Sequence, residues 1–228
     1  MNYSQENSKI ENIIWDWNGT LLDDVSLCVK IANRIVKNHI NLKLDIETYK
    51  NVFGFPVSDY YNNIGIDFKK ESFEELTKKF VENYNKNVMQ CKLHKNVIDT
   101  LNRFKEKNIN QHILTAAHKE SVLKLLNYYS IKKYFNQIEG LDNYKAESKI
   151  DIGLNLIEEN KINKETAVLI GDTIHDYEVA NKLKINCILI ANGHQSKKRL
   201  IDNTKKGTIV INELSQLSGI ILNNIYSN

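Results

Sequence analysis

Five short apolar runs constrain the fold of this chain more than any other feature. They are residues 12–15, 111–114, 167–170, 186–190 and 208–211. Small or polar residues end each run, and helical patterns lie between them, at 97–107, 120–128, 148–160 and 176–183. Apolar runs without polar alternation are typical of parallel strands that are covered on both faces. The alternation of strands and helices therefore predicts right-handed crossovers and a Rossmann-like, doubly wound parallel α/β sheet.

The segment between the first two apolar runs has no strand pattern. A loop of that length is uncommon in a compact domain unless it folds separately. Apolar residues recur at helical spacing in 25–38 and in 74–89, and Pro56 could start a short helix over 57–63. We therefore expect an α/β core formed by residues 1–22 and 92–228, interrupted by an all-helical cap formed by residues 23–91.

Composition excludes several classes of protein. The 31 basic and 28 acidic residues of the 228-residue chain give a formal charge of +3, which argues against a nucleic-acid or membrane surface. No apolar run approaches the ~20 residues that span a bilayer, and the first residues lack a signal-peptide pattern. The widely spaced Cys28, Cys91 and Cys187 predict reduced thiols rather than a disulfide framework. We expect a cytoplasmic protein that acts on a small molecule.

Polar residues follow the apolar runs at the sheet edge where open α/β proteins bind ligands. Asp16, Thr115 and Asp172 each come just after a run, and Lys145 and Lys149 precede the helix that leads to the third run. Two separated carboxylates form the hard oxygen site that Mg2+ prefers. A hydroxyl and a lysine could hold the oxygens of a phosphate. A metal, a carboxylate nucleophile and a cationic clamp together predict phosphoryl transfer.

Each of these residues also has a structural interpretation when taken alone. An Asp at a strand end often forms a turn or caps a helix, and Thr115 could cap the helix that follows it. Most lysines are simply solvated. The order of the residues favours the functional interpretation, because every polar cluster falls at the carboxyl end of a predicted strand.

Four segments resemble, in order, the four signatures of the haloacid dehalogenase superfamily. Residues 16–21 (DWNGTL) resemble the first signature, DxDGT, and residues 171–176 (GDTIHD) match the fourth, GDxxxD. Thr115 resembles the second signature and Lys149 the third, where Lys149 is favoured over Lys145 because a helical run follows it directly. The resemblance covers essentially the whole chain. A helical insertion after the first signature is typical of the branch similar to phosphoglycolate phosphatases.

This resemblance implies a Mg2+-dependent phosphatase that hydrolyses a small phosphorylated metabolite through an aspartyl-phosphate. Asp16 would attack phosphorus, and Thr115 and Lys149 would bind the phosphoryl oxygens. The metal ligands would be Asp16, the backbone carbonyl of Asn18, and Asp172, with Asp176 nearby. The predicted substrate contacts are Gly19, Thr20, Phe55, Ala116 and His194.

Asn18 departs from the family pattern, which has Asp as general acid and base at this position. An amide cannot exchange a proton in that way, and such catalysis is typically worth ~10²–10⁴ in rate. His118, His175 and His194 are candidate substitutes. Two alternatives to a phosphatase therefore stay open. One is a catalytically weakened phosphate-binding or regulatory protein, and the other is a mutase or an enzyme of other C–O or C–P chemistry.

The predicted cap carries an aromatic cluster. Residues 53–56 (FGFP) lie close in sequence to Tyr60 and Tyr61. These rings could close over a substrate, or they could form the core of a small helical domain.

Overall fold

A computed structural model describes residues 9–37, 39, 43–142 and 148–223. Eight strands lie in these ranges: β1 Asn12–Trp15, β2 Leu22–Asp23, β3 Lys92–Leu93, β4 Asn110–His118, β5 Gln137–Leu141, β6 Ala167–Gly171, β7 Asn186–Ile190 and β8 Ile209–Ile211. The α-helices of the same ranges are α1 Val25–Val36, α2 Ile46–Val52, α3 Val57–Asn63, α4 Phe73–Asn87, α5 Val97–Glu106, α6 Lys119–Tyr128, α7 Lys149–Glu159, α8 Ile174–Leu183, α9 Lys197–Asp202 and α10 Leu217–Leu222.

Six strands form one parallel sheet in the order β5-β4-β1-β6-β7-β8. Strand β1 lies between β4 and β6, and Trp15 pairs with Ile113 on one side and Ile170 on the other. The segments that follow these three strands therefore meet at one edge of the sheet. This sheet with helices between its strands confirms the predicted α/β fold class.

The sheet is buried on both faces, as the unbroken apolar runs indicate. Side chains alternate across the sheet along β1, so that Ile13 and Trp15 join one apolar cluster while Ile14 joins the cluster on the other face. Trp17, which follows the strand, belongs to the same apolar cluster as Trp15 and is also fully buried.

Two strands differ from the sequence-based expectation. Strand β5 was not predicted, because it pairs only with β4 at the sheet edge, and the polar Glu139 interrupts its short, half-buried run. Strand β4 continues to His118 rather than ending at Leu114, with a shift of register between these two residues. Thr115 therefore lies within β4, next to this irregularity, rather than after the strand.

A two-stranded antiparallel ribbon stands where the division between core and cap was expected. Leu22 pairs with Leu93, and Asp23 pairs with Lys92. The chain therefore leaves the sheet along β2 and returns beside it along β3. This pairing supports the proposed division, because it joins both ends of the inserted segment at a single place.

The inserted segment has an apolar core of its own, made of residues between Val25 and Leu76. Helix α1 gives this core a stripe of apolar residues, and α4 begins at a capping box formed by Ser72 and Glu75. Helix α2 was not predicted, since its first residue, Ile46, is exposed and its apolar pattern is short. The helix expected over 25–38 ends at Val36, and residue 38 lies outside the described residues.

No helix in the described part of the chain is long and apolar enough to cross a bilayer. Cys28, Cys91 and Cys187 are free thiols.

We expect the cap to loosen separately from the sheet when its core is weakened. Leu76 is fully buried in the cap, so Leu76→Ala should cost about 2–5 kcal/mol of local stability. Amide hydrogen exchange should accelerate in α1 and α4 while β1 and β6 stay protected. Lys78→Ala on the exposed side of α4 is the control. Equal acceleration in the sheet would show that cap and core unfold as one unit.

Candidate active site

A cavity of about 400 Å³ opens between the carboxyl edge of the sheet and the inserted helices. The sheet side contributes Asp16, Thr115, Lys149, Asp172 and Asp176. The structure therefore brings together the residues that the sequence placed at the ends of separate strands.

Lys149 connects two of these carboxylates. It is the first residue of α7, where the Ser148 hydroxyl caps the helix by accepting from the N–H groups of Ile150 and Asp151. The Lys149 Nζ donates to Asp16 Oδ1 at 2.5 Å and to Asp176 Oδ1 at 2.6 Å. Burial lowers the pKa of Lys149, but the two carboxylates outweigh it and raise the pKa. The alternative candidate, Lys145, lies outside the described residues.

Asp176 is held by the start of its own helix. Its Oδ2 accepts from the Thr173 hydroxyl at 2.7 Å, from the Thr173 N–H at 3.0 Å and from the Asp172 N–H at 3.2 Å. The Thr173 hydroxyl in turn accepts from the Asp176 N–H, which completes a capping box. The same residue thus starts α8 and positions Lys149.

Asp172 is fully buried and held from two sides. Its Oδ1 accepts from the Thr20 hydroxyl at 2.9 Å, and its Oδ2 accepts from the His194 N–H at 2.5 Å. A methyl group on Gly19 or Gly193 would overlap with Asp172, so these two positions allow the backbone to approach the carboxylate. Gly19 in addition has a φ of +75°, which favours glycine.

Two predicted substrate contacts lie outside the cavity wall. Thr20 sits behind Asp172 and orients it, while Gly19 packs against Asp172 and His194. The structure therefore gives both residues a positioning role, which differs from the direct contact expected from the sequence. Ala116, Phe55 and His194 do line the cavity.

The charges of the site fit a divalent cation. Oxygen atoms of Asp16, Asp172 and Asp176 lie within 4.8 Å of one another. With the buried Asp24 there are four carboxylates, against two cationic groups, Lys149 and a protonated His194. A hard ion with two positive charges would balance the remainder, and carboxylate oxygens are the ligands that Mg2+ prefers.

The pKa values of the carboxyl groups show this crowding of charge. Burial, together with Asp176 and Asp172, raises the pKa of Asp16 even though Lys149 lowers it. Burial also raises the pKa of Asp172, to about 6, because it outweighs the charge and the hydrogen bond of His194. The pKa of Asp176 is lowered instead, since Lys149 overcomes the effect of burial.

Asp24 was not among the residues singled out from the sequence. Its Oδ1 accepts from the Gly19 N–H at 3.0 Å and lies 3.1 Å from His194 Nε2. Its Oδ2 accepts from the Asn18 amide at 2.8 Å and from the Tyr84 hydroxyl at 2.6 Å. In sequence Asp24 looks like the cap of α1, yet its side chain makes no capping bond. It joins the first loop, the β7–α9 loop and helix α4 of the cap.

The Asp24–His194 pair carries opposite charges. Burial raises the pKa of Asp24, but His194 and the hydrogen bonds of Tyr84 and Asn18 lower it overall. Burial lowers the pKa of His194, but Asp24 outweighs it and raises the pKa to about 9. His194 is thus a buried side chain whose raised pKa favours the protonated form, and its Nδ1 lies 3.0 Å from the Tyr49 hydroxyl oxygen.

The side-chain amide of Asn18 contacts Asp24 and Tyr84. Its amide nitrogen is 2.8 Å from Asp24 Oδ2 and 2.6 Å from the Tyr84 hydroxyl oxygen. An amide can donate to a carboxylate here, whereas a second carboxylate would repel it. The amide at residue 18, where the family pattern has a carboxylate, is therefore matched by the carboxylate of Asp24.

Thr115 is positioned to bind an anion. It is buried, its hydroxyl oxygen accepts from the Ala117 N–H at 3.1 Å, and it lines the cavity. The hydroxyl hydrogen stays available for an oxygen in the cavity.

The aromatic cluster forms both the core of the cap and a wall of the cavity. Phe53 packs edge-on to Phe55 and Tyr60, with ring centroids 5.5 and 5.4 Å away. Phe55 is 43% exposed, and its ring centroid lies 4.9 Å from that of His175 of the core. Different rings of this cluster therefore form the core of the cap and the wall of the cavity.

Comparison with known proteins agrees with this arrangement. Residues 13–190 match the family model described as haloacid dehalogenase-like hydrolase. The chain is 26% identical over 185 residues to a protein named as a candidate pyrophosphatase, PpaX, from Caldanaerobacter subterraneus subsp. tengcongensis, with 80% of this chain and 82% of the relative covered.

Solved structures share the fold. One is a predicted phosphatase from Clostridium acetobutylicum, which is 18% identical with a TM-score of 0.78 and covers 95% of this chain and 100% of that one. Another is a predicted phosphoglycolate phosphatase from Haemophilus somnus, which is 16% identical with a TM-score of 0.70 and covers 93% and 98% of the two chains.

We expect residues 18 and 24 to be energetically coupled. Asn18→Asp would set two buried carboxylates against each other and should lower the free energy of unfolding by about 2–4 kcal/mol. The double variant Asn18→Asp/Asp24→Asn restores a donor and an acceptor, so it should be more stable than the sum of the two single changes predicts. Urea unfolding of all four proteins measures the coupling. If the changes in unfolding free energy of the two single variants simply added up in the double variant, the two residues would not be coupled.

Proposed function

This chain belongs to the haloacid dehalogenase-like hydrolase family, and we propose that it is a Mg2+-dependent phosphatase that hydrolyses a small phosphomonoester through a phosphorylated Asp16. The observation that supports this most directly is the contact of Lys149 with Asp16, in a cavity that also holds Asp172 and Asp176. A carboxylate beside a buried cation and a divalent-ion site has the groups that phosphoryl transfer needs.

In the proposed first step, Asp16 attacks the phosphorus atom. A bond forms between a carboxylate oxygen and phosphorus, and the bond between phosphorus and the alcohol oxygen breaks. Lys149 offsets the negative charge of both anions as they approach, and the Thr115 hydroxyl donates to a phosphoryl oxygen. In the second step a water oxygen attacks phosphorus, which releases phosphate and restores the Asp16 carboxylate.

The metal would be held by Asp16, Asp172 and the backbone of Asn18. Bound there, Mg2+ would neutralise charge on the phosphoryl group and on Asp16. The Thr20 hydroxyl and the His194 N–H fix both oxygens of Asp172, while Asp176 holds Lys149 in place. We therefore assign Asp176 the role of positioning Lys149 rather than that of a direct metal ligand.

The Asn18 side chain takes no part in proton transfer in this scheme. Its amide is occupied by Asp24 and Tyr84, and it has no proton to exchange at neutral pH. Protonation of the leaving alcohol then falls to water, so we expect slower turnover than an aspartate at this position would give.

A cytoplasmic location is part of the proposal. The three cysteines are free thiols, which is the usual state in a reducing compartment.

Removing the nucleophile should abolish activity. In a panel of phosphomonoesters with Mg2+, Asp16→Asn should lower phosphate release by at least about 10³-fold, because no other group forms the covalent intermediate. Asp23→Asn, an exposed acidic residue of the same segment, is the control and should keep its activity. Equal activity of wild type and Asp16→Asn would overturn the mechanism.

Magnesium should stabilise the folded protein through Asp172. At about 100 times its dissociation constant, Mg2+ should add about 2.7 kcal/mol to the stability of the wild type, and thermal unfolding measures this. Asp172→Asn should lose most of the increase, whereas Asp202→Asn on the exposed side of α9 should retain it. The same increase in all three proteins would place the ion elsewhere.

Asn18 supports a second candidate function, a phosphate-binding or regulatory protein with weakened catalysis. Magnesium-dependent binding of inorganic phosphate without turnover of any ester would favour it, and brisk Asp16-dependent hydrolysis would eliminate it. The double variant Asn18→Asp/Asp24→Asn separates the two cases further, since it should raise turnover only if the rest of the catalytic site works.

A further inference from the structure

We propose that the substrate is a phosphomonoester whose alcohol part is an aromatic ring with an uncharged hydrogen-bonding group, rather than a molecule with a second anionic group such as phosphoglycolate or pyrophosphate. This inference rests on the proposed function, because it assumes that the phosphoryl group binds at Asp16. It concerns the opposite wall of the same cavity, which the inserted helices provide.

The wall contributed by the cap is built from aromatic rings. Its members include Phe53, Phe55, Tyr60, Phe73, Phe80 and Tyr84. With about 400 Å³ available, the cavity has room for a ring beyond the phosphoryl group. Aromatic walls favour flat apolar groups, which they contact by stacking or edge-on packing.

The described residues of the cap wall include no lysine or arginine that could pair with a second anion. Among the described residues that line the cavity, Lys149 is the single lysine or arginine, and it is engaged by Asp16 and Asp176. Two basic residues of adjacent segments donate to backbone carbonyls instead, Lys50 to Asn192 and Arg199 to Phe53.

The histidines of the cavity come from the core and have partners. His194 pairs with Asp24, His175 packs on the ring of Phe55, and His118 lies 3.0 Å from the carbonyl oxygen of Asp142. A carboxylate or a second phosphoryl group would therefore be buried against rings without a matched charge, which is unfavourable.

Two hydroxyl groups in the wall point to an uncharged polar group on the ring. The side-chain oxygens of Tyr60 and Thr77 are buried and have no hydrogen-bond partner among the described residues, and both residues line the cavity. Buried hydroxyls are normally paired. A hydroxyl, carbonyl or ring nitrogen of the substrate would supply the missing partner once a rotation of the Tyr60 or Thr77 side chain brings its oxygen to the cavity surface.

The test compares substrates that differ in the alcohol part alone. Benzyl phosphate and ethyl phosphate both release a primary alcohol, so their comparison isolates binding of the ring. We expect kcat/KM for benzyl phosphate to exceed that for ethyl phosphate by about tenfold or more, with phosphoglycolate and pyrophosphate below both. Equal or higher values for ethyl phosphate, phosphoglycolate or pyrophosphate would overturn the inference.

Binding separates failure of this inference from failure of the proposed function. If no ester is hydrolysed, benzylphosphonate, methylphosphonate and phosphonoacetate can compete for binding to the Mg2+-loaded protein. This competition still tests whether the cap wall prefers an aromatic group. Preference for benzylphosphonate upholds the inference, and preference for either other ligand rejects it.

A matched pair of variants at Phe55 tests the charge argument. Phe55→Lys adds a cation at the exposed rim of the wall, and Phe55→Leu removes the ring without adding charge. The ratio of kcat/KM for phosphoglycolate to that for benzyl phosphate should rise about tenfold in Phe55→Lys relative to Phe55→Leu. An unchanged ratio would show that charge at the wall does not select the substrate.

Tyr60→Phe tests the hydroxyl argument while keeping the ring. Pyridin-3-ylmethyl phosphate carries a ring nitrogen that benzyl phosphate lacks. Its advantage over benzyl phosphate should be present in the wild type and lost in Tyr60→Phe. No such advantage in the wild type, or the same advantage in both proteins, would remove Tyr60 from substrate recognition.

Discussion

The arrangement of the active site depends on one buried ammonium group shared by two carboxylates. The Nζ of Lys149 lies 2.5 Å from Asp16 and 2.6 Å from Asp176, so it ties the end of β1 to the start of α8. Without a cation there, burial of these carboxylates would be strongly unfavourable. The caps of α7 and α8 set the positions of Lys149 and Asp176, because Ser148 and Thr173 fix the first turn of each helix. The two helix caps thus fix the positions of charged groups in the site.

Another carboxylate, that of Asp24, links the sheet to the cap. It accepts hydrogen bonds from Asn18 and Gly19 of the first loop and from Tyr84 of α4, and it pairs with His194. The amide of Asn18 suits this surrounding, since it donates where a carboxylate would repel. The loss of an acidic group at residue 18 and the burial of one at residue 24 are therefore two parts of one arrangement. In this arrangement the contacts of Asp24 with the first loop, α4 and His194 connect the cap to the core.

The division of labour between core and cap follows from their side chains. The carboxyl edge of the sheet carries charged and hydroxyl groups, which we propose bind the phosphoryl group, whereas the cap carries rings and two hydroxyls without a partner among the described residues, which we propose face the rest of the substrate. A protein similar in sequence is named a candidate pyrophosphatase, and a protein with a similar fold is named a predicted phosphoglycolate phosphatase. The selectivity that we propose for this chain therefore concerns the cap wall rather than the sheet edge.

The sequence by itself determined the parallel sheet, because unbroken apolar runs are local signals, and it also predicted an inserted helical segment and polar residues at the strand ends. It could not show β5, whose edge position leaves a mixed, half-exposed pattern. It did not reveal Asp24, which resembles a helix cap until its distant partners Tyr84 and His194 are in place. It also left Thr20 as a substrate contact, although the folded chain sets it behind Asp172. Only the tertiary structure decided these points, since burial and hydrogen bonding between distant segments exist only once the chain has folded.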